Sequence, residues 1–114
     1  MFITLAQLEP QLLLEAKNTL LAGIERAPND PKLFYNLAVV ETTMGNTDEG
    51  RTLLEETITL KPNYLAARIQ LGEAYINSAE LEKAREQFKY ILKNIDPQNQ
   101  TALEKLEQLA AAEQ

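Results

Sequence analysis

Apolar residues recur along this chain at helical spacing, with polar residues between them. Phe34, Leu37 and Ala38 stand at i, i+3 and i+4, and Leu54 and Ile58 stand at i and i+4 with Leu53 beside them, the signature of one buried helix face. No segment keeps the strict alternation of a half-buried strand. Boundary chemistry agrees with the periodicity. Pro31 and Pro62 fall at or just before helix starts, where a missing backbone N–H costs little. Met44-Gly45-Asn46 is a break, after which Asn46 and Glu49 have the spacing of a capping box. The pattern predicts helices over 8–26, 31–44, 47–60, 64–77, 80–94 and 99–112.

These helices repeat in pairs. PNDPKLFYNLA begins at Pro28, PNYLAARIQLGEAY begins at Pro62, and DPQNQTALEKLEQL brings the next such proline, Pro97, at nearly the same interval. Each period contains two helical segments separated by a turn, so each period is a helix hairpin.

The period, about 34 residues long, and its side chains resemble the tetratricopeptide repeat (TPR) family. The first complete unit supplies Phe34, Leu37-Ala38, Gly50, Leu54 and Pro62, and the next supplies Leu71-Gly72, Tyr75, Ala84, Phe88 and, one residue late, Pro97. Ala16, Leu20, Gly23 and Pro28 match the second helix of a preceding unit, and Leu103, Leu106 and Ala110 match a further first helix. The resemblance implies an all-α, right-handed α-solenoid of helix-turn-helix repeats: one TPR domain over 1–114, with a partial repeat at 1–30, repeats at 31–64 and 65–99, and a C-terminal capping helix at 100–114. Small residues are expected to let paired helices approach, Ala38 or Gly72 facing Gly50 or Ala84, with Leu54, Tyr75 and Phe88 filling the space beside them. Five positions depart from the family pattern: Arg68 replaces a bulky apolar residue, Glu41 and Glu107 replace Tyr and Gly, and Thr57 and Ile91 replace small residues.

The repeat register makes MFITLAQLE a clipped first helix, as in a module cut from a longer protein or a natural chain with an irregular cap. At the other end, Leu103, Leu106 and Leu109 alternate with Glu104, Lys105, Glu107 and Gln108, the polar outer face that the end of a solenoid requires. The segments DPKLFYNLA, KPNY and EKAREQFKYILKNIDPQN are also similar to TPR tails of bacterial O-antigen ligase and polymerase-type membrane proteins, which implies an appendage that recruits partners beside a glycan-assembly membrane domain.

Composition narrows the chemistry. The chain has no Cys, His or Trp and a single Ser, Ser78, which removes disulfides, thiolate and imidazole metal ligands, and Ser/His or Cys/His nucleophilic sites. No catalysis, cofactor or metal is expected. The loop NTDEG resembles part of a calcium loop, but the remaining ligands do not follow, so it reads as a turn and helix cap. A net charge of −6 opposes binding to nucleic acid or anionic lipid. The cluster Lys83, Arg85, Lys89 and Lys93 lies near Phe88 and Tyr90, but Glu80, Glu82 and Glu86 precede three of these cations at helical spacing, which reads as pairing along a solvated helix face. No signal peptide or membrane span is present in this sequence, and the expectation is a soluble, cytoplasmic chain, although without cysteine the redox compartment is unreadable.

In the family, first helices line a concave groove. Carried onto this chain, the groove positions are Lys32, Tyr35, Asn36, Val39, Thr42 and Thr43 in one repeat, and Ala66, Ile69, Gln70, Glu73, Ile76 and Asn77 in the next. The last helix adds Thr101, Glu104, Lys105, Gln108, Ala111 and Ala112. Lys32 and Lys105 balance Glu73 and Glu104, so the set is neutral and partly apolar. Its amides, Asn36 and Gln70, can donate and accept hydrogen bonds to a peptide backbone. The positions comparable to a carboxylate clamp hold Tyr35, Val39, Gln70, Thr101 and Lys105, so only the last is charged, which disfavours an acidic chaperone tail. The same groove positions would also suit ordinary solvated helix faces. The reading is therefore a non-enzymatic protein or peptide-binding module. The alternative is a self-association module acting through the repeat ends, where Phe2, Ile3, Leu5 and Leu8 are available.

Overall fold

A computed structural model describes residues 10–112; the apolar residues Phe2, Ile3, Leu5 and Leu8 lie outside them. The described residues form six α-helices: α1 Pro10–Arg26, α2 Pro31–Thr43, α3 Thr47–Leu60, α4 Leu65–Asn77, α5 Leu81–Asn94 and α6 Gln100–Ala112. Each expected helix is present, with its ends close to those the sequence pattern predicts. The chain divides into two compact units between Leu60 and Lys61, at the end of α3.

In the first unit, α2 packs against both α1 and α3. Asp30 caps α2 by accepting a hydrogen bond from the Lys32 backbone N–H at 3.0 Å, with Pro31 at the first helical position. The helix closes in a Schellman turn: the Gly45 N–H reaches Thr42 O at 3.0 Å and the Asn46 N–H reaches Glu41 O at 2.8 Å. Gly45 has φ +93°, a conformation that a side chain opposes. Leu37, Ala38, Val40, Leu53 and Leu54 form the apolar core, joined by Leu13 of α1. Thr57 is fully buried, and its hydroxyl donates to Leu53 O at 2.8 Å. That bond satisfies the hydroxyl at a position where the family pattern has a small residue.

In the second unit, α5 packs against both α4 and α6. The turn after α4 repeats the Schellman geometry, with Ala79 N–H to Ile76 O at 3.0 Å and Glu80 N–H to Tyr75 O at 2.8 Å. Here Ala79 takes the left-handed conformation, at φ 62°. The core is Ala67, Leu71, Tyr75, Ala84, Phe88 and Ile91, with Ala102 and Leu109 from α6. Asn99 caps α6 by accepting from the Ala102 N–H at 2.9 Å.

The small residues act differently in the two hairpins. A Cβ on Gly50 would lie 3.2 Å from Ala38 O and would collide with the Thr42 hydroxyl, which agrees with the expected approach of α2 and α3. A Cβ on Gly72 would lie 2.5 Å from Phe88 Cζ. Gly72 therefore makes room for an aromatic ring on α5. Asn46, expected to form half of a capping box with Glu49, directs its side-chain amide to Glu41 Oε2 at 3.2 Å.

Candidate functional site

The groove candidates are all reached by solvent. On α2, Lys32, Asn36 and Thr42 are exposed, while Tyr35, Val39 and Thr43 are half-buried. The opposite side of the helix carries Leu37, Ala38, Val40 and Glu41 into the core, so helical geometry leaves the candidates outward. Two are engaged locally. The Thr43 hydroxyl donates to Val39 O at 2.8 Å, and Thr42 leans over Gly50. On α4, Gln70 and Asn77 are exposed and Ile69, Glu73 and Ile76 half-buried; on α6, Lys105 is half-buried and Gln108 exposed.

The second unit brings four of these residues together from two helices. Glu73, Ile76, Asn77 and Lys105 line an open depression of about 270 Å³. Across it, Lys105 Nζ lies 4.0 Å from Glu73 Oε1, with both side chains part-exposed. An ion pair this long and this wet contributes little to stability, and both partners are available to a ligand. Ile76 offers apolar surface, and Asn77 offers an amide that can donate and accept. The depression can accordingly hold an apolar side chain with polar backbone beside it.

Two of the departures from the family pattern have structural partners that helical spacing does not reveal. Arg68 lies flat on Tyr90, its guanidinium carbon 3.6 Å from the ring centroid. It donates to Pro62 O at 3.0 Å and to Gln87 Oε1 at 2.8 Å. The Tyr90 hydroxyl donates to Asn63 Oδ1 at 3.0 Å, so α5 and the turn before α4 are tied together. Burial pushes the Arg68 guanidinium below the ordinary arginine pKa, with Tyr90 opposing the shift. Comparing repeats exposes the pairing of Arg68 with Gln87: one repeat earlier, the same two positions hold Phe34 and Leu53.

Glu41 is 3 % exposed. Lys17 of α1 places its ammonium 2.9 Å from Oε1, although off the geometry of an aligned hydrogen bond. On α5, Arg85 pairs with Glu82, and Lys83 lies 5.6 Å from the Tyr75 ring centroid. Within the basic cluster, Arg85 is thus engaged along its own helix, as the charge spacing predicts, while Lys83 lies near a ring of α4. Among the described residues no group of acidic side chains is placed to hold a metal, and no helix is long and apolar enough to cross a membrane.

The family model described as tetratricopeptide repeat matches residues 41–103. The chain belongs to the tetratricopeptide repeat family. Among curated relatives, DnaJ homolog subfamily C member 3 of Mus musculus is 30% identical over 93 residues, covering 82% of this chain and 18% of the relative. Hsp70-Hsp90 organizing protein 3 of Arabidopsis thaliana is 33% identical over 82 residues, covering 72% of this chain and 14% of the relative. The TPR chain therefore spans less than a fifth of either relative. The crystal structure of the P58(IPK) TPR domain superposes with a TM-score of 0.76 at 29% identity, covering 90% of this chain and 28% of that one. The six-helix TPR fold and a role as a protein-interaction module follow from these matches.

Proposed function

We propose that this TPR chain binds an extended or helical peptide segment on the outward faces of its first helices, without catalysis and without nucleic acid. The observation carrying this reading is the depression lined by Glu73, Ile76, Asn77 and Lys105, in which groove candidates from α4 and α6 meet around apolar surface and a loose ion pair. On α2 the matching surface is Lys32, Tyr35, Asn36, Val39, Thr42 and Thr43. One relative is named for Hsp70 and Hsp90. The clamp positions here hold Tyr35, Val39, Gln70 and Thr101 beside Lys105, which favours a neutral, partly apolar segment over an acidic chaperone tail. The test is affinity purification from the source organism, followed by affinity measurement on the captured partner with wild type and with Asn36→Ala/Gln70→Ala. Both residues are exposed, so the double variant keeps its helical circular dichroism and loses about tenfold in affinity, the loss of one or two hydrogen bonds. Unchanged affinity refutes groove binding.

A second reading is self-association through the repeat ends. It is favoured by leucines left at the surface of the outer helices: Leu12 is 47%, Leu14 50% and Leu21 43% exposed on α1, and Leu103 43% on α6. Sedimentation at high concentration that finds only monomer eliminates it.

A further inference from the structure

We propose that Lys17 and Glu41 form a charge latch that makes the docking of α1 on α2 depend on a cation at position 17, a condition absent from the otherwise similar packing of α6 on α5. Glu41 is a buried carboxylate on α2, and its two oxygens face different parts of the first unit. Oε2 accepts from the Asn46 amide in the α2–α3 turn at 3.2 Å. Oε1 is buried with no aligned hydrogen bond, and the Lys17 ammonium at 2.9 Å is the charge that balances it. Lys17 is itself partly shielded, its side chain 32% exposed, against 4% for Glu41.

The repeat supplies an internal control. Moving forward one repeat at a time, Lys17 becomes Arg51 and then Arg85, while Glu41 becomes Tyr75 and then Leu109. At the α5–α6 packing the cation pairs with Glu82 on its own helix, and the position corresponding to Glu41 is the buried Leu109. There, the neighbouring helix has no carboxylate at that position for the cation to balance. In the first unit, removing the cation strands a carboxylate in the α1–α2 packing, which is far more costly than removing the pair together.

Amide hydrogen exchange on the full chain tests this, with the Lys17→Met, Glu41→Gln and double variants. A latch predicts that Lys17→Met speeds exchange of α1 amides by at least about tenfold relative to those of α5 and α6. In the Glu41→Gln background the same substitution changes α1 exchange by less than about threefold, because a neutral amide needs no cation. Equal effects in the two backgrounds, or an effect below threefold in the wild-type background, overturn the proposal. If Lys17→Met fails to fold, a folded double variant together with a folded Lys17→Arg supports the latch. Failure of the double variant to fold overturns it.

Discussion

Repeat position by repeat position, Phe34 and Leu53 of the first hairpin become Arg68 and Gln87 of the second, while Glu41 of the first becomes Tyr75. Each hairpin therefore keeps an apolar core and admits polar side chains at positions where the other has apolar or aromatic ones. The first places its buried charge where α1 packs, with Lys17 opposite. The second places its polar pair where α5 meets the turn before α4, with Arg68 held by Gln87, Pro62 O and the Tyr90 ring. The repeat constrains burial and partnership more tightly than it constrains polarity, since a buried polar group is tolerated once it has a hydrogen-bond or charge partner.

The strongest test of this comparison lies in the cores. Phe88 is fully buried and seated against Gly72, whereas its counterpart Leu54 is 6% exposed in a hairpin whose small residue, Gly50, meets Ala38 and Thr42 instead. Truncating Phe88 to Ala removes more buried surface and leaves a cavity that Gly72 cannot fill, at a cost of about 3–5 kcal/mol; Leu54→Ala costs about 2–5 kcal/mol, toward the lower end. Urea unfolding of both variants checks the order. Equal losses would mean that Gly72 is not a seat for the ring.

A smaller effect separates the polar pair from its apolar counterpart. Gln87 is 7% exposed, and its Oε1 accepts from Arg68. Gln87→Leu leaves the guanidinium without that acceptor and costs about 1–2 kcal/mol, moderated because half-buried Arg68 can turn to water. Arg68→Phe combined with Gln87→Leu restores the pairing of the first hairpin, and its cost is smaller than the sum of the single changes. Additive losses in denaturant melts would show that the two positions do not act as a pair.

The architecture was legible because its signals are local. Pro31 and Pro62, the Met44-Gly45-Asn46 break and the i, i+3, i+4 rows lie within a turn or two of what they determine. The candidate faces were legible as consequences of register, since a helix that buries Leu37, Ala38, Val40 and Glu41 must turn Asn36 outward. Long-range partnerships were not. Arg68 and Gln87 lie far apart in the chain, on helices whose facing rows depend on tertiary packing. Glu41 stood out only as a departure until α1 brought Lys17 against it. The meeting of Glu73 and Lys105 across the depression likewise depends on how α4 and α6 are placed within their unit. Asn46 adds a partnership of the same kind, for its side-chain amide reaches Glu41 in the preceding turn of chain, a contact that the capping-box spacing with Glu49 does not announce.

The turns supply the finest distinction between the hairpins. Gly45 and Ala79 occupy the same repeat position and the same Schellman geometry, yet only one has a side chain to strain against its positive φ. Among the described residues nothing lies within 4 Å of a Cβ placed on Gly45, so Gly45→Ala introduces no clash with them, and its cost of about 1 kcal/mol comes from the left-handed backbone. Ala79→Gly relieves the same strain in the second hairpin. It gains somewhat less than that, because glycine also gives the unfolded chain more freedom to lose. The two changes should move the midpoint of thermal unfolding in opposite directions. A fall in both would mean that the Ala79 methyl group stabilises its turn by more than the strain costs.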